Sequence, residues 1–162
     1  MAIPKLLIPL LLSLFALPCQ AKRPTITTAE MVETLEQHGV SVVEQERCGG
    51  DFANVAVYYN VRNQICISRV NARTSQLFKQ ALAHEATHAV QDCKAGQDNG
   101  RMVHMYRDNF YRQLQIMLPA GSVSRIESLY PQEDWGIEIE AYVFQRMPWV
   151  INELVKAHCP RR

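Results

Sequence analysis

The chain has 162 residues, of which 48% are hydrophobic and 20% are charged. This length supports one sizeable hydrophobic core and is too short for two ordinary domains. The formal net charge of +1 lacks the basic excess that is typical of nucleic-acid-binding proteins, so we expect no nucleic-acid partner.

The first 21 residues have the pattern of a cleaved secretory signal peptide. Lys5 precedes an apolar run from Leu6 to Leu17, and Ala21 is a small residue at a suitable cleavage point. The run of about 12 residues is shorter than the roughly 20 that a membrane span needs. We therefore expect residues 22–162 to form a periplasmic or secreted domain without a stable membrane span, with an uncleaved anchor as the alternative.

Beyond residue 21 the chain has four cysteines, which in an oxidising compartment suggests two disulfides. Four cysteines allow three pairings. Cys48 and Cys66 bracket a predicted hairpin, which favours their pairing and leaves Cys93 to pair with Cys159. A cysteine zinc site is disfavoured because the chain has no C-x-x-C pair.

Apolar periodicity predicts an α+β domain with a small antiparallel sheet and a mainly helical C-terminal half. The first helix is expected from Thr28 to His38, after a capping box formed by Thr27 and Glu30. Three segments rich in β-branched and aromatic residues follow and predict the sheet: VSVVEQERC, NVAVYY and QICISRV. Apolar spacing and proline or glycine stops then predict five helices: Arg73 to Ala95, Arg101 to Leu118, Ser122 to Tyr130, Asp134 to Arg146 and Val150 to His158.

The second predicted helix carries the sequence HEATH, an H-E-x-x-H motif at residues 84–88. A spacing of four places His84 and His88 on one helix face, where both can bind one zinc ion. Glu85 is suited to accept a proton from water that zinc acidifies, which makes it the predicted general base. An exposed helix with two solvated histidines is the alternative, but the neighbouring residues are small or apolar and indicate burial.

A third ligand must come from elsewhere, because H-E-x-x-H is not followed by the G-x-x-H extension. The segment EIEA at residues 138–141 offers Glu138 and Glu140, which point to different sides of a helix, so we expect only one to be a ligand. Glu138 shares a side with the small Ala141, which favours Glu138. A solvated ion pair with Arg146 is the alternative for either glutamate.

Several other polar residues are secondary candidates. His104 could orient a ligand or stabilise an oxyanion, as could Tyr142 and Arg146, although a structural role is favoured. Asp92 lies four residues after His88 and is a candidate acceptor for its ring. The two remaining histidines, His38 and His158, are expected at the surface.

The order of these motifs resembles the mitochondrial intermembrane-space metallopeptidases that process a subunit of ATP synthase and assist its assembly. The resemblance rests on four features in chain order. The first is a cysteine followed by two glycines and an aromatic residue (Cys48, Gly49, Gly50, Phe52), and the second is a predicted strand ending in Cys66. The third is H-E-x-x-H at residues 84–88 with Cys93 five residues beyond its second histidine, and the fourth is a Glu-Ile-x-Ala segment at residues 138–141. It implies a zincin-like single domain with oxidised cysteines, and it supports Glu138 as a ligand. Residues 101–135 match nothing in that family, so its substrate and assembly role are not implied.

We therefore predict a zinc-dependent metalloendopeptidase acting on a protein or peptide substrate, with His84, His88 and Glu138 as metal ligands and Glu85 as the catalytic base. The alternative is a zinc-binding chaperone-like or interaction module with little turnover. Glu85 distinguishes the two, because a structural zinc site has no need of a carboxylate that activates water. The cleavage preference and the oligomeric state are left open by the sequence.

Overall fold

A computed structural model describes residues 25–50, 53–97, 101–106 and 108–161. The predicted signal peptide at residues 1–21 lies outside these ranges. The described elements, in chain order, are α1 (Thr28–Gln37), β1 (Ser41–Gln45), β2 (Ala56–Tyr59), β3 (Gln64–Ser68), α2 (Ser75–Ala95), α3 (Asp108–Met117), α4 (Ser122–Leu129), α5 (Trp135–Phe144) and α6 (Pro148–His158), with short 3-10 turns at Asn60–Arg62 and Gln132–Asp134. The predicted α+β class and the mainly helical C-terminal half are confirmed.

The three strands form a mixed sheet in the order β1-β3-β2. β2 and β3 are antiparallel, as expected, whereas β1 runs parallel to β3 with Val43 opposite Cys66. The expectation of a fully antiparallel sheet is corrected here. β3 is the most buried strand and lies between β1 and β2, so β1 and β2 do not pair with each other.

Helix α2 is the central element of the domain and packs against the sheet on one side and against α5 and α6 on others. Its start is capped by Thr74, whose side chain accepts from the main-chain N–H of Leu77. Its end is set by Gly96, which adopts φ 101°, a left-handed conformation that glycine tolerates without steric cost. From Ala81 to Cys93 every residue of the helix is buried except His84 and Glu85, which are partly exposed.

Both favoured disulfides are present. Cys48–Cys66 joins the β1–β2 connection to the central strand, and Cys93–Cys159 joins the last turn of α2 to the residue after α6. His38 is buried, with Nδ1 2.7 Å from the main-chain oxygen of Cys159, so the expectation that it lies at the surface was wrong. The ring fixes the end of α1 to the second disulfide, a contact between residues 121 positions apart.

The helix predicted from Arg101 begins later than expected. Residues 101–106 are not helical, and α3 starts at Asp108. The physical reason is that backbone groups of this segment bond to side chains of other elements: Lys94 Nζ donates to the main-chain oxygens of His104 and Met105, at 2.8 and 2.7 Å.

None of the helices in the described ranges combines the length and apolar character that crossing a bilayer requires.

Replacing Cys93 and Cys159 together by serine should lower the free energy of unfolding by about 4 kcal/mol, because that disulfide closes a loop spanning 66 positions. The paired control, Cys48→Ser with Cys66→Ser, opens a loop of only 18 positions and should cost about 3 kcal/mol. Urea unfolding followed by circular dichroism measures both. A larger loss for the short loop would contradict the loop-entropy explanation.

Candidate metal centre

Three side chains from two helices converge where α2 packs against α5. His84 Nε2 lies 3.4 Å from Glu138 Oε2, and His88 Nε2 lies 3.4 Å from Glu138 Oε1. One ligand atom from each of the three residues falls within 4.8 Å of the others, so the group can hold a metal ion. The structure thus brings together the three residues that the sequence predicted as ligands.

The buried carboxylate of Glu138 fits a metal ligand. Its Oε2 atom has no well-formed hydrogen bond from any residue in the described ranges, although it lies 3.4 Å from Nε2 of His84. A buried carboxylate oxygen in this state is costly unless a cation or donor compensates it. A divalent cation held by the two imidazoles and this carboxylate would supply that compensation.

The electrostatics of the three groups are strongly coupled. Burial alone would lower the pKa of His84, but the nearby carboxylates of Glu138 and Glu85 raise this pKa above the usual value. Burial would raise the pKa of Glu138, but the neighbouring His84 and His88 hold it below the usual range. A metal ion competes with protons for these imidazole nitrogens, so metal binding should weaken as the pH falls.

Glu85 faces the same cleft from the neighbouring position on α2. Its Oε2 atom accepts the main-chain N–H of Tyr58 on β2 at 2.8 Å. β2 is an edge strand, so the side of β2 that does not pair with β3 is available for this contact. The edge strand therefore holds the carboxylate at the mouth of the site, beside the ligands and separate from them.

Glu140, the alternative third ligand, points away from the two histidines. Its carboxylate accepts the main-chain N–H of Met105 at 2.9 Å and that of Tyr106 at 3.1 Å. It also accepts Gln91 Nε2 at 2.9 Å. The carboxylate of Glu140 is thus held by three hydrogen bonds away from the histidines. Glu138, and not Glu140, is the glutamate that lies within reach of a metal ion shared with His84 and His88.

The ring of His88 bonds to Gln91 and not to Asp92. Nδ1 of His88 lies 2.8 Å from Gln91 Oε1, whereas Asp92 Oδ2 lies 2.7 Å from the hydroxyl of Tyr58. The expectation for Asp92 was therefore wrong in its partner: this buried carboxylate anchors the edge strand to α2. Gln91 was not a sequence candidate, because two of its three partners, Ile137 and Glu140, lie on α5 and become neighbours only when α2 and α5 pack.

Tyr130 is a second site residue that the sequence did not identify. It lines both of the cavities that adjoin the metal centre, of about 420 and 510 Å³. His84 and Glu85 also line both cavities, which we refer to together as the cleft. The phenol of Tyr130 interacts with Glu138 and with Tyr142, and burial with these neighbours raises its pKa. Its position just before Pro131 indicated only the end of a helix, so no sequence signal marked it.

Three other sequence candidates lie near the centre or beyond it. The ring of Tyr142 packs edge-on against His84 with ring centroids 5.0 Å apart, which supports the imidazole from the side of α5. The guanidinium of Arg146 lies 3.4 Å from the main-chain oxygen of Met117 and does not line the two cavities of the cleft. His104 lies near Glu140, with its Nδ1 3.9 Å from Oε1.

No protein-family model, curated protein or solved structure matches this chain. The resemblance in motif order to the mitochondrial metallopeptidases therefore stays an expectation from the sequence. The geometry of the centre carries the functional argument that follows.

His84→Ala and Glu138→Ala should each abolish tight binding of a divalent metal, because a site left with two protein ligands has lost a third of its donor set. Glu85→Gln should keep binding, since Glu85 is held by Tyr58 outside the ligand group. Metal content of the purified chain, measured by elemental mass spectrometry, checks this. Equal metal content in wild type and Glu138→Ala would contradict the assignment.

Proposed function

We propose that the protein is a zinc-dependent metalloendopeptidase. The observation that carries this proposal is the placement of Glu85, whose carboxylate lies in an open cleft beside a His-His-Glu group without belonging to it. Three protein ligands with further space in the cleft are typical of catalytic zinc sites, whereas structural sites are closed by four. The H-E-x-x-H sequence of α2 supports the same reaction class.

Zinc is the metal that we propose for the centre. Two imidazole nitrogens and one carboxylate oxygen form a borderline donor set that suits zinc better than calcium or magnesium, which prefer oxygen ligands alone. Zinc held there supplies Lewis-acid chemistry, because it acidifies water and polarises a carbonyl group. His84, His88 and Glu138 hold the ion, with Tyr142 supporting the ring of His84.

Glu85 is the proposed general base. Its carboxylate accepts a proton from the attacking water and then donates that proton to the departing amine, so it returns to its starting form. The 2.8 Å hydrogen bond from the main-chain N–H of Tyr58 fixes one carboxylate oxygen and leaves the other available for the proton transfer. Tyr58 is itself fixed through its hydroxyl to Asp92, so the base has a rigid support.

Tyr130 is the proposed donor to the carbonyl oxygen of the scissile bond. Its raised pKa keeps the phenol protonated at neutral pH, so it remains a hydrogen-bond donor throughout the reaction. It lies in both halves of the cleft together with Glu85, which places it where a bound peptide would pass. A preformed donor at this position stabilises the negative charge that develops in the transition state.

The proposed location is the periplasm or the exterior of the cell. The two disulfides support an oxidising compartment. The signal-like pattern of residues 1–21 supports export. The proposed substrates are therefore proteins or peptides that meet the enzyme outside the cytoplasm.

Glu85→Gln should reduce the kcat for cleavage of an unfolded protein substrate by at least about 100-fold, because the base is lost while the amide keeps the shape of the side chain. The variant should retain one zinc per chain, which separates a catalytic loss from a binding loss. Cleavage is followed by mass spectrometry of the products. A zinc-loaded wild type that cleaves no peptide would support a zinc-binding module without turnover.

Tyr130→Phe should lower kcat by roughly 100-fold with little change in KM, because one preformed donor to the transition state is removed. Tyr142→Phe is the matched control: it also removes one hydroxyl from the cleft but keeps the ring that packs against His84. Steady-state kinetics on a fluorogenic peptide compare the two variants. A greater loss in Tyr142→Phe would move the donor role to Tyr142.

A further inference from the structure

A chain of buried hydrogen bonds leads from a metal ligand to the far side of α5. Nδ1 of His88 lies 2.8 Å from Gln91 Oε1. Gln91 Nε2 lies 2.9 Å from Glu140 Oε2 and 3.1 Å from the main-chain oxygen of Ile137. Gln91 is fully buried and Glu140 is 2% exposed, so water does not provide substitute partners.

The polarity of this chain follows from its two acceptors. A main-chain carbonyl can only accept, and the carboxylate of Glu140 already accepts two main-chain N–H groups, so the end of the Gln91 side chain that faces them must be its NH2 group. The carbonyl end of Gln91 therefore faces His88. Since that oxygen can only accept, Nδ1 of His88 must carry a hydrogen, so in the neutral ring the lone pair lies on Nε2, the nitrogen that faces Glu138.

The segment of residues 101–106 also holds Glu140 in place. The N–H groups of Met105 and Tyr106 bind its two oxygens. The same segment approaches α5 closely at Gly136, where an added Cβ would lie only 2.1 Å from His104 Cε1. Glu140 therefore cannot rotate without breaking main-chain contacts, and the orientation of Gln91 depends on it.

We propose that Gln91 and Glu140 are positioning residues, which hold His88 as the Nδ1–H tautomer and thereby keep its Nε2 free to bind the metal. This inference rests on the metal centre of the proposed function and assigns the groups that prepare it. A reversed Gln91 amide would present NH2 to Nδ1 and stabilise the opposite tautomer, whose hydrogen on Nε2 blocks coordination.

The first test uses the wild-type protein without metal. Long-range proton–nitrogen NMR at alkaline pH, where imidazoles are neutral, distinguishes the two tautomers of a histidine ring. The signals of His88 are assigned by their absence in a His88→Gln variant. We expect the hydrogen on Nδ1 of His88. A hydrogen found on Nε2 overturns the proposal.

The second test compares Glu140→Gln and Gln91→Met with Thr87→Val. Thr87 is also buried on α2 and loses one polar contact, to the main-chain oxygen of Ala83, but it has no link to His88. In the first two variants we expect a mixture of His88 tautomers and a zinc Kd about 10- to 100-fold weaker, as for other groups that orient metal ligands. Thr87→Val should keep the wild-type tautomer and Kd.

The outcomes separate this inference from the proposed function. Unchanged tautomer and zinc Kd in both Glu140→Gln and Gln91→Met, with wild type binding zinc, would overturn the positioning role alone. A wild-type chain that binds no zinc in calorimetry would overturn the metallopeptidase. Weaker binding with an unchanged tautomer would show that the two residues act only on packing, which also contradicts the proposal.

Discussion

The burial of two carboxylates from α5 against α2 is the constraint on which the rest of the structure depends. Glu138 and Glu140 are two residues apart, so they lie on different sides of the same helix and are compensated differently. Glu138 meets two imidazoles, whereas Glu140 meets three N–H donors from α2 and the segment of residues 101–106. A buried charge is costly unless paired or hydrogen-bonded, so neither group can move without a partner following. The polar partners of these two carboxylates therefore fix the register in which α5 packs against α2, in addition to the apolar contacts between the helices.

The same logic extends from the helices to the sheet. Tyr58 on the edge strand gives its main-chain N–H to Glu85 and its hydroxyl to Asp92, two carboxylates of α2 that lie two turns apart. These two hydrogen bonds fix the position of β2 relative to α2, and β2 forms one wall of the cleft. A peptidase of the kind proposed needs such rigidity, because small displacements of a base relative to its substrate reduce the rate strongly.

Local patterns were sufficient to predict most of the helices, both disulfides and the three residues of the candidate metal centre, because these depend on spacing within one element or on a small number of combinations. The pairing of His84 with His88 follows from the geometry of a single helix, and the choice of Glu138 followed from helix geometry together with the family resemblance. Contacts between distant elements were not predictable in this way. The parallel pairing of β1, the irregular segment of residues 101–106 and the roles of Gln91 and Tyr130 each depend on partners that only the folded chain brings together.

The Cys93–Cys159 disulfide also shortens the covalent path between His88 and Glu138. His88 and Glu138 are 50 residues apart in the chain. The path through the disulfide runs five residues from His88 to Cys93, and then 21 residues from Cys159 back to Glu138. Halving a loop lowers the entropy cost of closing it by about 0.6 kcal/mol. In the unfolded state, the ligands therefore meet more often in the oxidised chain than in the reduced one, so thiol oxidation favours assembly of the centre.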